Sequence, residues 1–273
     1  MSTLVGAFGT GHILMSRGSA GEAGERAYRG MREVGRRVAA LKPDVLVIVS
    51  SDHFYNLHGL ESNAFLLGTA ETFDSFGDMD IPVQRLAGSP GLAQRIMDAT
   101  RAKNFPLVAL DDSYQPDHGV LLPYLMAGLD TQVLPVITNL GAETLPSMQQ
   151  GWDLGEIVRQ AIDADSGQQR VVILGTGGLS HWLGVPEMGR VNPDFDQEVL
   201  GTLIQGNGHR LAGWSSAQIA ENGGNGGLEI INWAVMAGAC PGAKGEQIYY
   251  EALPEWVTGL GGIELFVEKN HVR

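Results

Sequence analysis

The chain has 273 residues and one cysteine, Cys240, so no internal disulfide can form and a reducing compartment is expected. Basic residues are scarce: 18 Lys and Arg against 31 Asp and Glu, a net charge of −13. A surface of that sign repels phosphate backbones and anionic headgroups, which argues against nucleic acid and membrane surfaces as partners. No apolar run approaches the ~18 residues of a membrane span, and no basic segment leads into a long apolar stretch. A cytoplasmic protein is the expectation. Several chemical motifs are also missing. Gly175-Thr176-Gly177-Gly178 follows an apolar run, but no Gly-Lys-Ser/Thr closes a phosphate loop and the G-x-G-x-x-G spacing is absent. Neither a G-x-S-x-G elbow nor an H-E-x-x-H helix occurs. Mononucleotide, serine-hydrolase and zincin chemistry all lose ground.

Glycine is plentiful, with 38 residues, while apolar residues make up 44% and charged residues 18%. That balance describes a folded domain rich in tight turns and close backbone approaches, not a disordered or fibrous chain. Its length suits one large α/β domain spanning residues 1–273.

Hydrophobic periodicity alternates between two grammars. Leu4–Phe8, Val45–Val49, Ala64–Leu67, Leu107–Leu110, Gln132–Thr138 and Arg170–Leu174 read as strands. Val45-Leu46-Val47-Ile48-Val49 is unbroken and mostly β-branched, as in a strand buried on both faces. Between Gly21 and Leu41, Ala27, Met31, Val34, Val38 and Leu41 recur at helical steps. Further helices are expected from Pro90 to Lys103, Trp152 to Ala164, Asp194 to Ile204, Ser216 to Asn222 and Leu228 to Ala239. Gln247–Ala252 and Gly262–Val267 read as closing strands. Strands alternating with helices predict a single-domain α/β sandwich whose central sheet is mixed or largely parallel.

In such sheets ligands gather beyond the carboxyl ends of the strands. His12, His53 and His181 each follow a strand or turn break, and His118 sits in Pro116-Asp117-His118-Gly119 ahead of an apolar segment. One such histidine is ordinarily a loop or capping residue, but four in similar positions point to metal binding or acid–base work near neutral pH. His58, His209 and His271 read as surface histidines, and Cys240 as a small buried thiol at the end of an apolar helix.

Gly11-His12, Ser51-Asp52-His53, Asp117-His118-Gly119, Gly175–His181 and Gly227-Leu228-Glu229 occur in an order and at intervals that resemble one family. It is the class III extradiol ring-cleavage dioxygenases, which include the protocatechuate 4,5-dioxygenase catalytic subunit and the 2,3-dihydroxyphenylpropionate dioxygenases. The most specific piece is Gly175-Thr176-Gly177-Gly178-Leu179-Ser180-His181. The closing stretch Tyr249–Trp256 leans toward the second branch.

The resemblance implies a non-haem Fe(II) held by His12, His53 and Glu229, two imidazoles and a carboxylate on one face with open positions opposite. It implies that His181 is the acid–base histidine and His118 a second active-site histidine. Asp52 and Asp117 would orient histidines or be solvated loop residues, and Arg17 would meet a substrate carboxylate or lie on the surface. The implied reaction opens a catechol-type ring with O₂ beside one hydroxyl. A homo-oligomer is the simpler assembly, because nothing here encodes the small companion subunit found in part of the family. A zinc hydrolase using the same His₂Glu set, and a metal-free binding protein on the same fold, remain the alternatives.

Overall fold

The computed structural model describes all residues except 14, 16, 54–56, 58, 61 and 268–273. His58 and His271 therefore lie outside the described residues, as does the side chain of Arg17.

The strands are β1 (Thr3–Thr10), β2 (Val45–Ser51), β3 (Phe65–Gly68), β4 (Thr72–Asp74), β5 (Arg85–Ala87), β6 (Val108–Leu110), β7 (Gln132–Thr138), β8 (Arg170–Thr176), β9 (Gly245–Leu253) and β10 (Thr258–Leu265). The helices are α1 (Gly21–Ala40), α2 (Pro90–Ala102), α3 (His118–Ala127), α4 (Met148–Ala164), α5 (Pro193–Ile204), α6 (Ser216–Gly223) and α7 (Ile230–Gly238). Eight strands form one sheet in the order β6-β3-β7-β2-β8-β1-β10-β9, and β4 pairs with β5 apart from it. The central run β7-β2-β8-β1 is parallel, and antiparallel pairings flank it at β3 and β10. The expected α/β sandwich with a mixed, largely parallel sheet is what forms.

Side chains on β2 explain the layering. Val45, Val47 and Val49 enter one core with α2, α4, α5 and α7, while Leu46 and Ile48 enter another with α1 and α3. A strand covered on both faces has no polar side to expose, hence its unbroken apolar run. Helix α1 buries Ala27, Met31, Val34 and Val38, the face read from its spacing. Each large apolar side chain removed from water contributes roughly 1.5–3 kcal/mol. The α4–α7 contact is closer than side chains allow, since a Cβ on Gly155 would sit 2.1 Å from the Val235 carbonyl oxygen and one on Gly238 2.3 Å from that of Trp152.

Several elements depart from expectation. Helix α4 starts at Met148 rather than Trp152, because Ser147 and Gln150 cap each other's backbone in a capping box. The helix expected over Leu228–Ala239 is a short 3-10 turn, Gly226–Glu229, followed by α7. Strand β10 begins at Thr258, four residues before the expected start, in a glycine-rich stretch whose composition hides its strand character. The β4–β5 pair and α3 carry weak local signals: three-residue strands in one case, and a helix with Pro123 inside it in the other.

Candidate metal and catalytic site

The parallel strands β1, β2 and β8 end side by side at Thr10, Ser51 and Thr176, and the chain then delivers His12, His53 and the Gly177–His181 loop to the same sheet edge. Glu229 arrives from the opposite layer at the start of α7. That helix is tied down by Asn232, whose amide donates to Ser51 Oγ at 3.1 Å and to the Thr176 carbonyl at 2.8 Å. Asn232 Oδ1 accepts from Thr138 Oγ1 at 2.6 Å. One buried side chain thus links the ends of β2, β7 and β8 to the helix that presents the glutamate.

Three donor atoms converge. His12 Nε2 and His53 Nε2 are 3.2 Å apart, and Glu229 Oε1 lies 3.4 Å from the first and 3.5 Å from the second. Bond lengths of about 2.1 Å place donors that share one face of a small divalent ion about 3–3.5 Å apart. The far nitrogens are committed elsewhere. The Thr176 hydroxyl lies 3.1 Å from the carbonyls of Val49 and Gly119, donates there, and so accepts Nδ1–H of His12 at 3.2 Å. The Gly119 carbonyl is open to it because Pro123, four residues on, has no N–H. His53 Nδ1 donates to Asp117 Oδ2 at 2.9 Å, and Asp117 also accepts from the backbone of His53 and Gly119.

Electrostatics make this a place that demands one positive charge. Burial pushes His12 down to about 3, keeping it neutral. Burial also works against a charge on His53, but hydrogen bonds and charge from Asp117 and Glu229 outweigh it and raise His53 to about 10. Burial would raise Glu229, yet His12, His53 and His181 together hold it below the usual carboxylate range. Without a metal, one proton on His53 occupies the space between two acceptors, His12 Nε2 and Glu229 Oε1. A divalent cation would replace that proton, so the residues present fit a metal.

The two other histidines border the same space. His181 donates from Nδ1 to the Leu179 carbonyl at 3.2 Å, which leaves Nε2 facing the cavity, 3.8 Å from Glu229 Oε2. A Cβ on Gly226 would stand 2.1 Å from that ring, so only glycine permits its position. The ring of His118 packs 4.0 Å from that of His53, and nitrogens of His12, His53 and His118 all lie within 4.8 Å of one another. Asp117 does not hold its sequence neighbour His118 but reaches His53. His118 is gripped instead by Asp78, which accepts its backbone N–H at 3.0 Å and pairs with Nδ1. Asp52 is buried and lines the cavity.

Sequence reasoning missed Asp78, Asn232 and Asp196. Asp196 is fully buried and accepts from Ser180 N–H at 2.7 Å, Ser180 Oγ at 3.0 Å and Tyr250 OH at 2.7 Å, bracing the loop that carries His181. Burial raises it to about 6. The closing stretch also acquires roles: the Tyr249 hydroxyl accepts from Gly11 N–H at 3.2 Å, and Trp256 lines the cavity. Cys240 is buried and its thiol pushed up to about 12, as a structural cysteine should be. His209 is exposed.

The family model described as "Catalytic LigB subunit of aromatic ring-opening dioxygenase" matches residues 10–261, nearly the whole chain. The chain belongs to this family. It is an extradiol dioxygenase, and the zinc-hydrolase and metal-free alternatives are not favoured. Among curated relatives, a 2,3-dihydroxyphenylpropionate/2,3-dihydroxicinnamic acid 1,2-dioxygenase of Photorhabdus laumondii is 27% identical, over 90% of this chain and 92% of its own. Its Escherichia coli namesake is 28% identical over 85% and 88%. A crystal structure of an uncharacterized protein from Escherichia coli K12 shares the fold, with a TM-score of 0.59 at 15% identity over 95% of this chain and 99% of that one. No helix among the described residues is long and apolar enough to cross a membrane.

Proposed function

We propose that the chain opens catechol-type rings with O₂ beside one hydroxyl, at an Fe(II) ion held by His12, His53 and Glu229. The observation that carries this is the triangle of His12 Nε2, His53 Nε2 and Glu229 Oε1, 3.2–3.5 Å on a side, within an aromatic ring-opening dioxygenase family. Two imidazoles and one carboxylate facing an open cavity are the donor set of Fe(II) oxygenases. When bound, iron supplies Lewis acidity toward the diol and one-electron exchange with O₂. A reducing cytoplasm would keep it ferrous.

The protein's own groups handle binding and protons. Nε2 of His181 faces the cavity and takes a catechol proton, since its Nδ1 already carries the hydrogen donated to Leu179. The same nitrogen returns that proton during O–O cleavage. His118, its Nδ1 committed to Asp78, presents its other nitrogen to substrate or oxygen. Asp117 fixes the His53 ring and its tautomer.

Anaerobic Fe(II) loading followed by a catechol panel, with O₂ uptake and visible absorbance recorded together, tests the reading. Stoichiometric uptake with a yellow ring-opened product is expected, and His12→Ala should lose both iron and turnover. Stoichiometric iron and full activity in His12→Ala would refute the ligand assignment.

A further inference from the structure

The cavity beside the three donors has a volume of about 490 Å³. The four histidines line it together with Asp52 and Glu229, and a diol belongs among them. Its remaining side chains are mostly apolar, Leu140, Leu145, Leu183, Leu228 and Val257 with the indole of Trp256; of the polar ones, Asn225 is spent on the Leu183 backbone and the Thr258 hydroxyl donates to the Gly259 carbonyl. The indole N–H is spent on Ser19 Oγ at 2.9 Å, so that wall offers a ring substituent carbon and little else. The rim continues the pattern. Leu145 is 39% and Leu183 43% exposed. Apolar side chains left in water around the mouth of one cavity mark a surface that an apolar ligand covers.

Charge points the same way. The carboxylates lining the cavity are Asp52 and Glu229, and its described lining includes no lysine or arginine. A carboxylate on the substrate's side chain would leave water to sit among leucines, in a chain of net charge −13, with the histidines committed to the diol. An ionised group moved to such walls without a partner is disfavoured, whereas an alkyl or aryl group gains by the same transfer.

We infer that this enzyme takes catechols whose ring substituent is uncharged and apolar, in preference to carboxylated ones. The inference rests on the catechol reading above. It separates this chain from relatives named for 2,3-dihydroxyphenylpropionate, whose side chain ends in a carboxylate.

The test pairs substrates of equal reach: 3-butylcatechol against 2,3-dihydroxyphenylpropionate, and 4-butylcatechol against 3,4-dihydroxyphenylpropionate. Both kcat/KM by O₂ uptake and anaerobic affinity by quenching of tryptophan fluorescence are measured on the Fe(II)-loaded full chain. Alkyl members should be favoured by ~10-fold or more in both, from a desolvation difference of the size seen for unpaired polar groups. Leu183→Arg should narrow the gap by giving the carboxylate a partner at the rim. Equal or better use of the carboxylated members would overturn the inference, and loss of that preference in Arg17→Ala would name the cation that reads them. Failure of every member to bind or turn over would instead bring down the catechol reading itself, and this inference with it.

Discussion

Asp196 offers a direct check on how the His181 loop is held. Its carboxylate is fully buried and accepts three hydrogen bonds from Ser180 and Tyr250, yet burial outweighs them and raises it from 3.8 to about 6. Well below pH 3.8 the group is protonated in both folded and unfolded chains, and its contribution to stability is complete. As pH rises from there through 6, the unfolded chain ionises freely while the folded one must ionise in the core, and stability is lost. A shift from 3.8 to about 6 is worth ~3 kcal/mol. Asp196→Asn keeps an oxygen for the Ser180 N–H and can donate to both hydroxyls, so it removes the titration without emptying the site. Denaturant unfolding of metal-free protein between pH 4 and pH 8 would compare the two. The parent should lose ~2.5 kcal/mol more than the variant across that range, where the unfolded carboxyl is already partly ionised at the acid end, roughly 5–10 °C in melting temperature. Other titrating groups cancel in the difference. Parallel stability curves would show that the carboxylate titrates normally and that its burial is not what the structure shows.

Three further outcomes follow from the site. Gly226→Ala would drive a Cβ into the His181 ring, which now lies 2.1 Å from that position, so kcat should fall about 100-fold or more while iron content is unchanged; undiminished turnover would remove His181 from proton transfer. Asp78→Asn should lower kcat by about 10–100-fold through a misoriented His118, with Asp78→Glu recovering part of it, and anaerobic titration should find iron affinity unaltered. Because His53 holds a proton up to about 10, a divalent ion binding at pH 8 should release one proton, read by calorimetry in buffers of different ionisation enthalpy. Metal uptake without proton release would contradict the charge balance assigned to the donor triangle.

Much of the framework was legible from local pattern. The apolar run of β2 reported a strand covered on both faces, and the steps of four and three in α1 reported its buried stripe. The histidines after strand ends were legible because strand ends are where an open α/β sheet collects ligands. Short or masked elements were not: β4 and β5 have three residues each, α3 carries a proline, and β10 is diluted by glycine. Such segments are specified by neighbours and not by their own periodicity.

The division at the site has the same cause. The positions of His12, His53, His118 and His181 stand out along the chain, but their roles, and Glu229 altogether, are nameable only through the family resemblance. Their partners are separated by distances that sequence does not encode: Asp78 lies 40 residues before His118, Asp117 lies 64 after His53, and Asn232 reaches Ser51 across 181. Proximity in sequence even pointed the wrong way for Asp117, which serves His53 and not His118. Residue types and local patterning determined what chemistry was available and which layers the chain would form. Only the packing of four strand ends against α7 decided which carboxylate holds which imidazole, which nitrogen stays open, and how apolar the space beside them is, because those are matters of three-dimensional contact and desolvation.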